Sequence, residues 1–379
     1  MDSGFGRDSL KVLLDRLGDV GDPRVPAKVK FPLDEVLFLV TCATIAGCDD
    51  YDEIAEWGAH NLDFLKGYSE FYFGVPKEDW LRTVLNRIDP ALFEACFSSW
   101  ATSLGGDADH IAIDGKTLRR SADDKGTGKP LHLVSAWATT QRLVLAQEAV
   151  EIKENECSAI LTILGRLNLK GALVTIDAIA TNPTVAKGIL DAGGDYLLAL
   201  KANQPTLHGE VARFYDDPQT TGLLTFETID KDHGRIEIRT ATVSHDIDWL
   251  SGDRRHPGEP RLPGLKSIVK AVTKTEYRGK ITSETRYFVS SALLTPERAA
   301  LVIRSHWAIE SMHWVLDVIF KEDQSRLRRG HGATNMALIR RLAFSLLKQR
   351  RGKKSLKTAR KIAGWNPAFL AQILNPAGC

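Results

Sequence analysis

Apolar and polar positions follow two different rhythms along this chain, and the change of rhythm divides it. Between residues 30 and 104 apolar positions recur every three or four residues. They do so in a run from Pro32-Leu-Asp-Glu to Gly47, in Asp50 to Trp57, in Glu78 to Ile88, and after Asp89-Pro90. That spacing predicts helices, and an acid before a proline marks a helix start. Gly105-Gly106-Asp107 reads as a boundary. From His110 the period shortens. His110 to Leu118, Leu131 to Thr139 and Leu143 to Glu151 predict strands. Ser158 to Leu167 then predicts a helix, Ala172 to Ile179 a strand, Pro183 to Ala192 a helix and Tyr196 to Lys201 a strand. Three strands followed by helix-strand-helix-strand imply an α/β fold with a mixed sheet covered by helices.

The period-two pattern returns between 224 and 292, in Thr225 to Ile229, Arg235 to Val243, Ser267 to Thr273 and Thr285 to Ser290. These segments predict a β-rich insertion, with Ser251 to Pro263 as an exposed loop. Thr295-Pro296-Glu297 then opens a long helix, its hydroxyl at the N-cap and its proline at the first helical position. The expected units are 1–105 (helical), 106–223 (first part of the sheet core), 224–293 (β-rich insertion), 294–325 (a core helix) and 326–379 (basic and helical). No internal repeat is found.

Composition adds that a chain of 379 residues, 43% apolar and 26% charged, buries a sizeable core. The longest apolar run, Val36 to Gly47, is too short to span a bilayer, and the N-terminus has no basic segment leading into an apolar one. Five cysteines without a Cys-x-x-Cys pair suit reduced thiols of a cytoplasmic protein. Charge is uneven. Of 50 Lys and Arg, 13 lie after Asp323, where no acid occurs, leaving 37 basic against 48 acidic residues before it. This asymmetry predicts a polyanion held by one end, through a basic helix that carries Arg340 and Arg341. A solvated, solubilising tail is the alternative.

The candidate chemistry lies in three acids. Ile111-Ala-Ile-Asp114 and Leu173-Val-Thr-Ile-Asp177 each put a carboxylate after an apolar strand, and Glu310 sits on the later helix His306-Trp-Ala-Ile-Glu310-Ser-Met-His313-Trp-Val-Leu-Asp317. Three converging carboxylates without thiolates suit magnesium or manganese. For Asp114, the following glycine also fits a turn residue ending a strand. On the helix, Trp307, Glu310, Trp314 and Asp317 share one stripe, which predicts that Glu310 faces the sheet. His306, Glu310 and His313 share a face too, and make zinc the rival metal. No nucleophile elbow, P-loop or dinucleotide fingerprint occurs, which leaves nucleotide-driven and hydride chemistry without a basis.

Several motifs in order resemble the DDE transposases of bacterial insertion sequences. They are Asp114-Gly-Lys-Thr-Leu-Arg, Thr175-Ile-Asp177-Ala, Leu198-Ala-Leu-Lys201-Ala-Asn203-Gln204, His233-Gly-Arg235-Ile-Glu237, Pro263-Gly-Leu-Lys, and Arg304-Ser-His-Trp307 through Asp317. The group most similar is the ISAs-one group with the H-repeat-associated proteins. Asp22-Pro-Arg through Glu53-Ile-Ala-Glu-Trp57-Gly is similar to that group's N-terminal domain. The resemblance implies an RNase H-like core with Asp114, Asp177 and Glu310 as catalytic and metal-holding acids. It implies two Mg²⁺ or Mn²⁺ ions, hydrolysis at the element's ends, strand transfer into target double-stranded DNA, and a homodimer on DNA. Where the wider group has Tyr, Arg and Lys around the glutamate, this chain has Ile303, His306 and Asp317. Lys116, Arg119, Lys201, His233, Arg235, Arg304, His306, Arg340 and Arg341 are the expected phosphate contacts. A non-catalytic or domesticated DNA-binding protein and a structure-directed nuclease are the alternative functions.

Overall fold

The structure is a computed structural model, and it describes residues 14–105, 108–122, 129–150, 156–201, 204–232, 234–251 and 262–374. Strands β1 (His110–Thr117), β2 (His132–Ala138), β3 (Leu143–Val150), β4 (Leu173–Ile176) and β5 (Asp195–Leu200) form the centre of one sheet in the order β3-β2-β1-β4-β5. The first three pair antiparallel, and β1, β4 and β5 run parallel. This is the RNase H-like arrangement expected. Helices Glu156–Arg166 and Pro183–Asp191 make the crossovers that parallel neighbours require.

The β-rich insertion is not a separate layer. Strands β6 (Leu224–Asp232), β7 (Arg235–Ser244), β8 (Ser267–Tyr277) and β9 (Lys280–Ser290) form an antiparallel meander, and β9 pairs with β5. The result is one nine-stranded sheet. Only the ends nearest β5 are buried, such as Tyr287 to Ser290, while Lys280 to Thr285 are exposed. A sheet edge that is continued by another strand leaves no unpaired ladder there. The helix Pro205–Asp216, which the sequence reading did not anticipate, packs beside β9.

The helix Pro296–Val318, hereafter the glutamate helix, starts as predicted, with the Thr295 hydroxyl accepting from Arg298 N–H. Asp50 likewise caps its helix by accepting from Glu53 N–H. The N-terminal helix Leu33–Ala46 is buried nearly all round, because the C-terminal helices Gly332–Arg350 and Leu356–Trp365 pack on it. Arg360 ties the two ends of the chain together: its guanidinium donates to Thr44 O, to Cys48 O and to Asp49 Oδ1. No helix among the described residues is long and apolar enough to cross a membrane. The four described cysteines are free thiols.

Candidate active site

Side chains on a strand alternate between faces, so Asp114 shares one face of β1 with His110, Ala112 and Lys116. Asp177 follows β4 directly and continues the face of Thr175. Across this face lies the glutamate helix. It docks by His306 Nδ1 to Thr175 Oγ1 at 2.8 Å, by His313 Nδ1 to Asp114 Oδ2 at 3.4 Å and by Asp317 Oδ1 to Lys116 Nζ at 2.7 Å. Asp114, Asp177 and Glu310 therefore line one cavity of about 180 Å³, together with Thr175, Lys201, Glu284, Arg286, His306 and Trp307.

Two details differ from expectation. Asp114 is not at a strand end, since β1 continues through Gly115 to Thr117 and Asp114 lies opposite Ser135 of β2. The glycine is needed there for close packing: a Cβ at residue 115 would lie 2.5 Å from His132 Nε2 and 3.1 Å from Glu156 Oε1. On the glutamate helix the inward stripe is Ile309, Met312 and Leu316, all buried, and Phe320 just beyond its end is buried too. Trp307 and Trp314 are 50% and 59% exposed. Of the predicted stripe Trp307, Glu310, Trp314 and Asp317, the first three thus face outward, with Glu310 exposed at the cavity wall, and only Asp317 turns in, to Lys116.

The electrostatics hold the Asp177 carboxyl charged. Asp177 is half-buried, which favours its neutral form. Hydrogen bonds from Lys201 and Ala178 N–H, with the charges of Lys201 and His306, outweigh burial and hold its carboxyl below the usual range. Lys201 Nζ reaches both Asp177 oxygens, at 2.7 and 3.0 Å. As the side chains stand, no group of three His, Cys, Asp or Glu among the described residues is close enough to hold a metal ion. That holds equally for the acid trio and for His306, Glu310 and His313. The donor chemistry of the cavity nonetheless suits a hard cation: four carboxylates, those of Asp114, Asp177, Glu310 and Glu284, line it and no thiol does.

The expected phosphate contacts divide. Lys201 and His306 line the cavity. Arg235 and Arg304 line an adjoining groove of about 680 Å³ between the meander and the glutamate helix, paired with Glu237 and Asp230. Arg119 is exposed beside Asp323, and His233 lies outside the described residues. Lys116, Arg340 and Arg341 are corrected. All three are buried, and none presents its charge to a ligand. Lys116 is surrounded by Asp317, Glu322 and Asp323, and Arg341 pairs with Glu322 at 2.8 Å. Burial pulls Lys116 toward its neutral form, yet Glu322 and then Asp317 hold its ammonium above the ordinary value. Part of the basic tail is therefore internal charge, whereas Arg326, Arg329, Lys353, Lys354, Lys357 and Lys361 are exposed.

Sequence reasoning missed Arg286 and Glu284, which reach the cavity from β9. Arg286 stacks over the Trp307 ring with 5.0 Å to its centroid. Their signal was the alternation of Glu284, Arg286 and Phe288 on one face of a strand, unusable until β9 was known to join β5.

Residues 105–346 match the family described as the transposase DDE domain, and residues 14–101 match its associated N-terminal family. The chain belongs to the DDE transposases. This transposase is 35% identical over 383 residues to "Putative transposase YncI" of Escherichia coli O157:H7, covering 97% of the chain and 95% of the relative. It is 34% identical over 382 residues to "H repeat-associated putative transposase YhhI" of Escherichia coli K12, covering 97% and 99%. The cryo-EM structure of a piggyBac transposase synaptic complex with hairpin DNA covers 97% of the chain and 80% of its own, at 11% identity and TM-score 0.45. That likeness is too low to argue from.

Proposed function

We propose that the protein cleaves DNA at the ends of an insertion sequence and joins the freed ends to target DNA, with Asp114, Asp177 and Glu310 as the catalytic acids. One observation carries the reading: three acids that are 63 and 133 residues apart in sequence, on two strands and a helix, line a single cavity. Such convergence of carboxylates is costly unless a cation offsets their repulsion. Asp114, Asp177 and Glu310 would hold two Mg²⁺ or Mn²⁺ ions. Bound there, the ions would neutralise charge on a phosphodiester and activate the attacking oxygen.

The chain's own residues supply the remaining functions. Lys201 balances Asp177 before cations arrive and offers its ammonium to a phosphate at the same wall. Arg286, stacked on Trp307 and paired with Glu284, sets a second basic group at the same wall. Arg235 and Arg304 extend the basic surface along the adjoining groove, and Arg119 is an exposed phosphate contact beside Asp323. In this reading 1–105 is the accessory helical region and 106–223 with 294–325 the catalytic core. The β-rich insertion is 224–293, and 326–379 is the basic C-terminal region. The partners are element ends and target DNA, engaged by a homodimer in the cytoplasm.

The test uses the full chain, labelled element-end duplexes and Mg²⁺. Joined products support transposition, cut-only products indicate a nuclease, and band shifts without cutting indicate a binding protein. Asp177→Asn is expected to keep DNA binding and lose cleavage. Normal cutting by that variant removes the catalytic assignment.

A further inference from the structure

Beneath the acids runs a continuous chain of hydrogen bonds, buried at its centre and partly buried at its ends, that the proposed chemistry does not use. Thr139 Oγ1 lies 2.9 Å from His110 Nδ1, His110 Nε2 lies 2.9 Å from Thr175 Oγ1, and Thr175 Oγ1 lies 2.8 Å from His306 Nδ1. Its members follow from the same periodicities that place the acids. His110 is two pleat repeats before Asp114, Thr175 one repeat before Asp177, and His306 one helical turn before Glu310. His110 and Thr175 are almost wholly buried, at 2% and 4% exposure, so water does not satisfy these groups. His306 lines the cavity, and its Nε2 has no hydrogen-bond partner among the described residues.

The chain must run in one direction. Burial, helped by the charges of His306 and Arg298 against that of Asp109, pushes His110 down to about 3, so its ring carries one N–H and one lone pair. Thr175 has a single hydroxyl proton for two imidazole neighbours. If Thr139 donates to His110 Nδ1, then His110 Nε2–H donates to Thr175, and Thr175 donates to His306 Nδ1. If the chain runs the other way, the Thr139 proton is left with His110 O at 3.4 Å, and a lone pair of His306 faces the acids. The 2.9 Å bond between Thr139 and His110 Nδ1 is kept in either direction, so the acids decide between them. Only the first direction turns an N–H, not a lone pair, toward Asp114 and Asp177, whose charges favour a proton on His306.

We propose that Thr139, His110 and Thr175 are positioning residues that hold His306 as the neutral tautomer with its proton on Nε2, fixed as a hydrogen-bond donor to a phosphate oxygen in the acid-lined cavity. The phosphate contact rests on the function proposed above, whereas the tautomer does not. His306 stands where the wider group of transposases has a positive arginine. A neutral, oriented donor recognises a phosphate oxygen without adding charge beside the cation-holding acids, and the hydrogen-bonded chain supplies the orientation that arginine obtains from its fork of donors.

The test is long-range ¹H–¹⁵N spectroscopy of the full-length, metal-free and DNA-free protein with ¹⁵N-histidine, the His306 signals being assigned by their loss in His306→Gln. The wild type is expected to show His306 protonated on Nε2. Thr175→Val, which removes the hydroxyl at nearly constant shape, is expected to give mixed tautomers at His306, and Thr175→Ser to restore one. Thr175→Val is also expected to slow end cleavage about tenfold at unchanged affinity for the end duplex, the scale of one lost hydrogen bond to a charged group. Adding end duplex to Asp177→Asn protein should move the His306 Nε2–H proton downfield. His306 protonated on Nδ1 in the wild type overturns the proposal, and so does a Thr175→Val spectrum identical to wild type. An unmoved proton on adding duplex removes the phosphate contact. If the wild type shows the Nε2–H tautomer but cuts no DNA, the proposed function fails while the positioning chain stands.

Discussion

Lys201 Nζ sits within hydrogen-bond distance of both carboxylate oxygens of Asp177, at 2.7 and 3.0 Å, and so occupies the edge that a cation would take. A lysine competes with a divalent ion for the same charge. Lys201→Gln is therefore expected to lower the Mg²⁺ concentration for half-maximal end cleavage by about threefold, while weakening binding of end DNA. Mn²⁺ binding followed by electron paramagnetic resonance should tighten in the same variant without DNA. A midpoint that rises instead would mean that Lys201 helps assemble the site and does not compete for it.

Stability should fall on mild acidification. Desolvation, then the charges of His306 and Arg298, lower His110 from 6.5 to about 3, so the unfolded chain takes up this proton first. A group with a depressed folded pKa contributes stability that is complete above 6.5 and is lost as pH falls toward 3. His306, depressed first by burial, adds in the same direction despite Asp114 and Asp177. Urea unfolding of the wild type between pH 7 and 4 should show this decline, and His110→Gln should flatten it.

Glu322, fully buried, bridges Arg341 at 2.8 Å and Lys116 at 3.2 Å. Burial alone would raise its carboxyl, but Arg341 and Lys116 overcome this and bring it from 4.5 down to about 2. Its contribution is therefore present above 4.5 and is lost as pH falls toward 2. Glu322→Gln leaves the buried Arg341 without its carboxylate, while Lys116 keeps Asp317 and Asp323, and should destabilise the fold by about 3–5 kcal/mol at neutral pH. Chemical denaturation measures this. A loss below about 1 kcal/mol would place the pair with surface ion pairs in its energetics.

Gly115→Ala should damage the site without touching an acid. Its added methyl meets the buried His132 and Glu156, which bond to each other at 2.7 Å and have little room to retreat. Overpacking of this kind costs about 1–3 kcal/mol. The variant is expected to melt earlier and to cleave more slowly, because Asp114 is carried on the same strand segment.

Local readings succeeded where the chemistry is local. Thr295 and Asp50 cap helices as their neighbours require, and the alternating segments from His110 to Lys201 became β1 to β5 with ends shifted by a few residues. Asp114, Asp177 and Glu310 were legible as apolar-flanked acids. Thr175 and His110 were legible too, by stepping back along the strand period from each acid, but nothing in the sequence says that a lone threonine and a lone histidine are neighbours.

Periodicity and capping express backbone geometry, which each segment carries within itself, and so the strands, helix starts and acid-bearing elements can be read in order along the chain. Which face of an element meets which partner depends on contacts between residues far apart, and that only the folded chain decides. The outward turn of Trp307 and Trp314, the joining of β9 to β5, and the burial of Lys116, Arg340 and Arg341 all belong to this second kind. A buried arginine and an exposed one have the same letter; the carboxylate that Glu322 brings to Arg341 makes the difference.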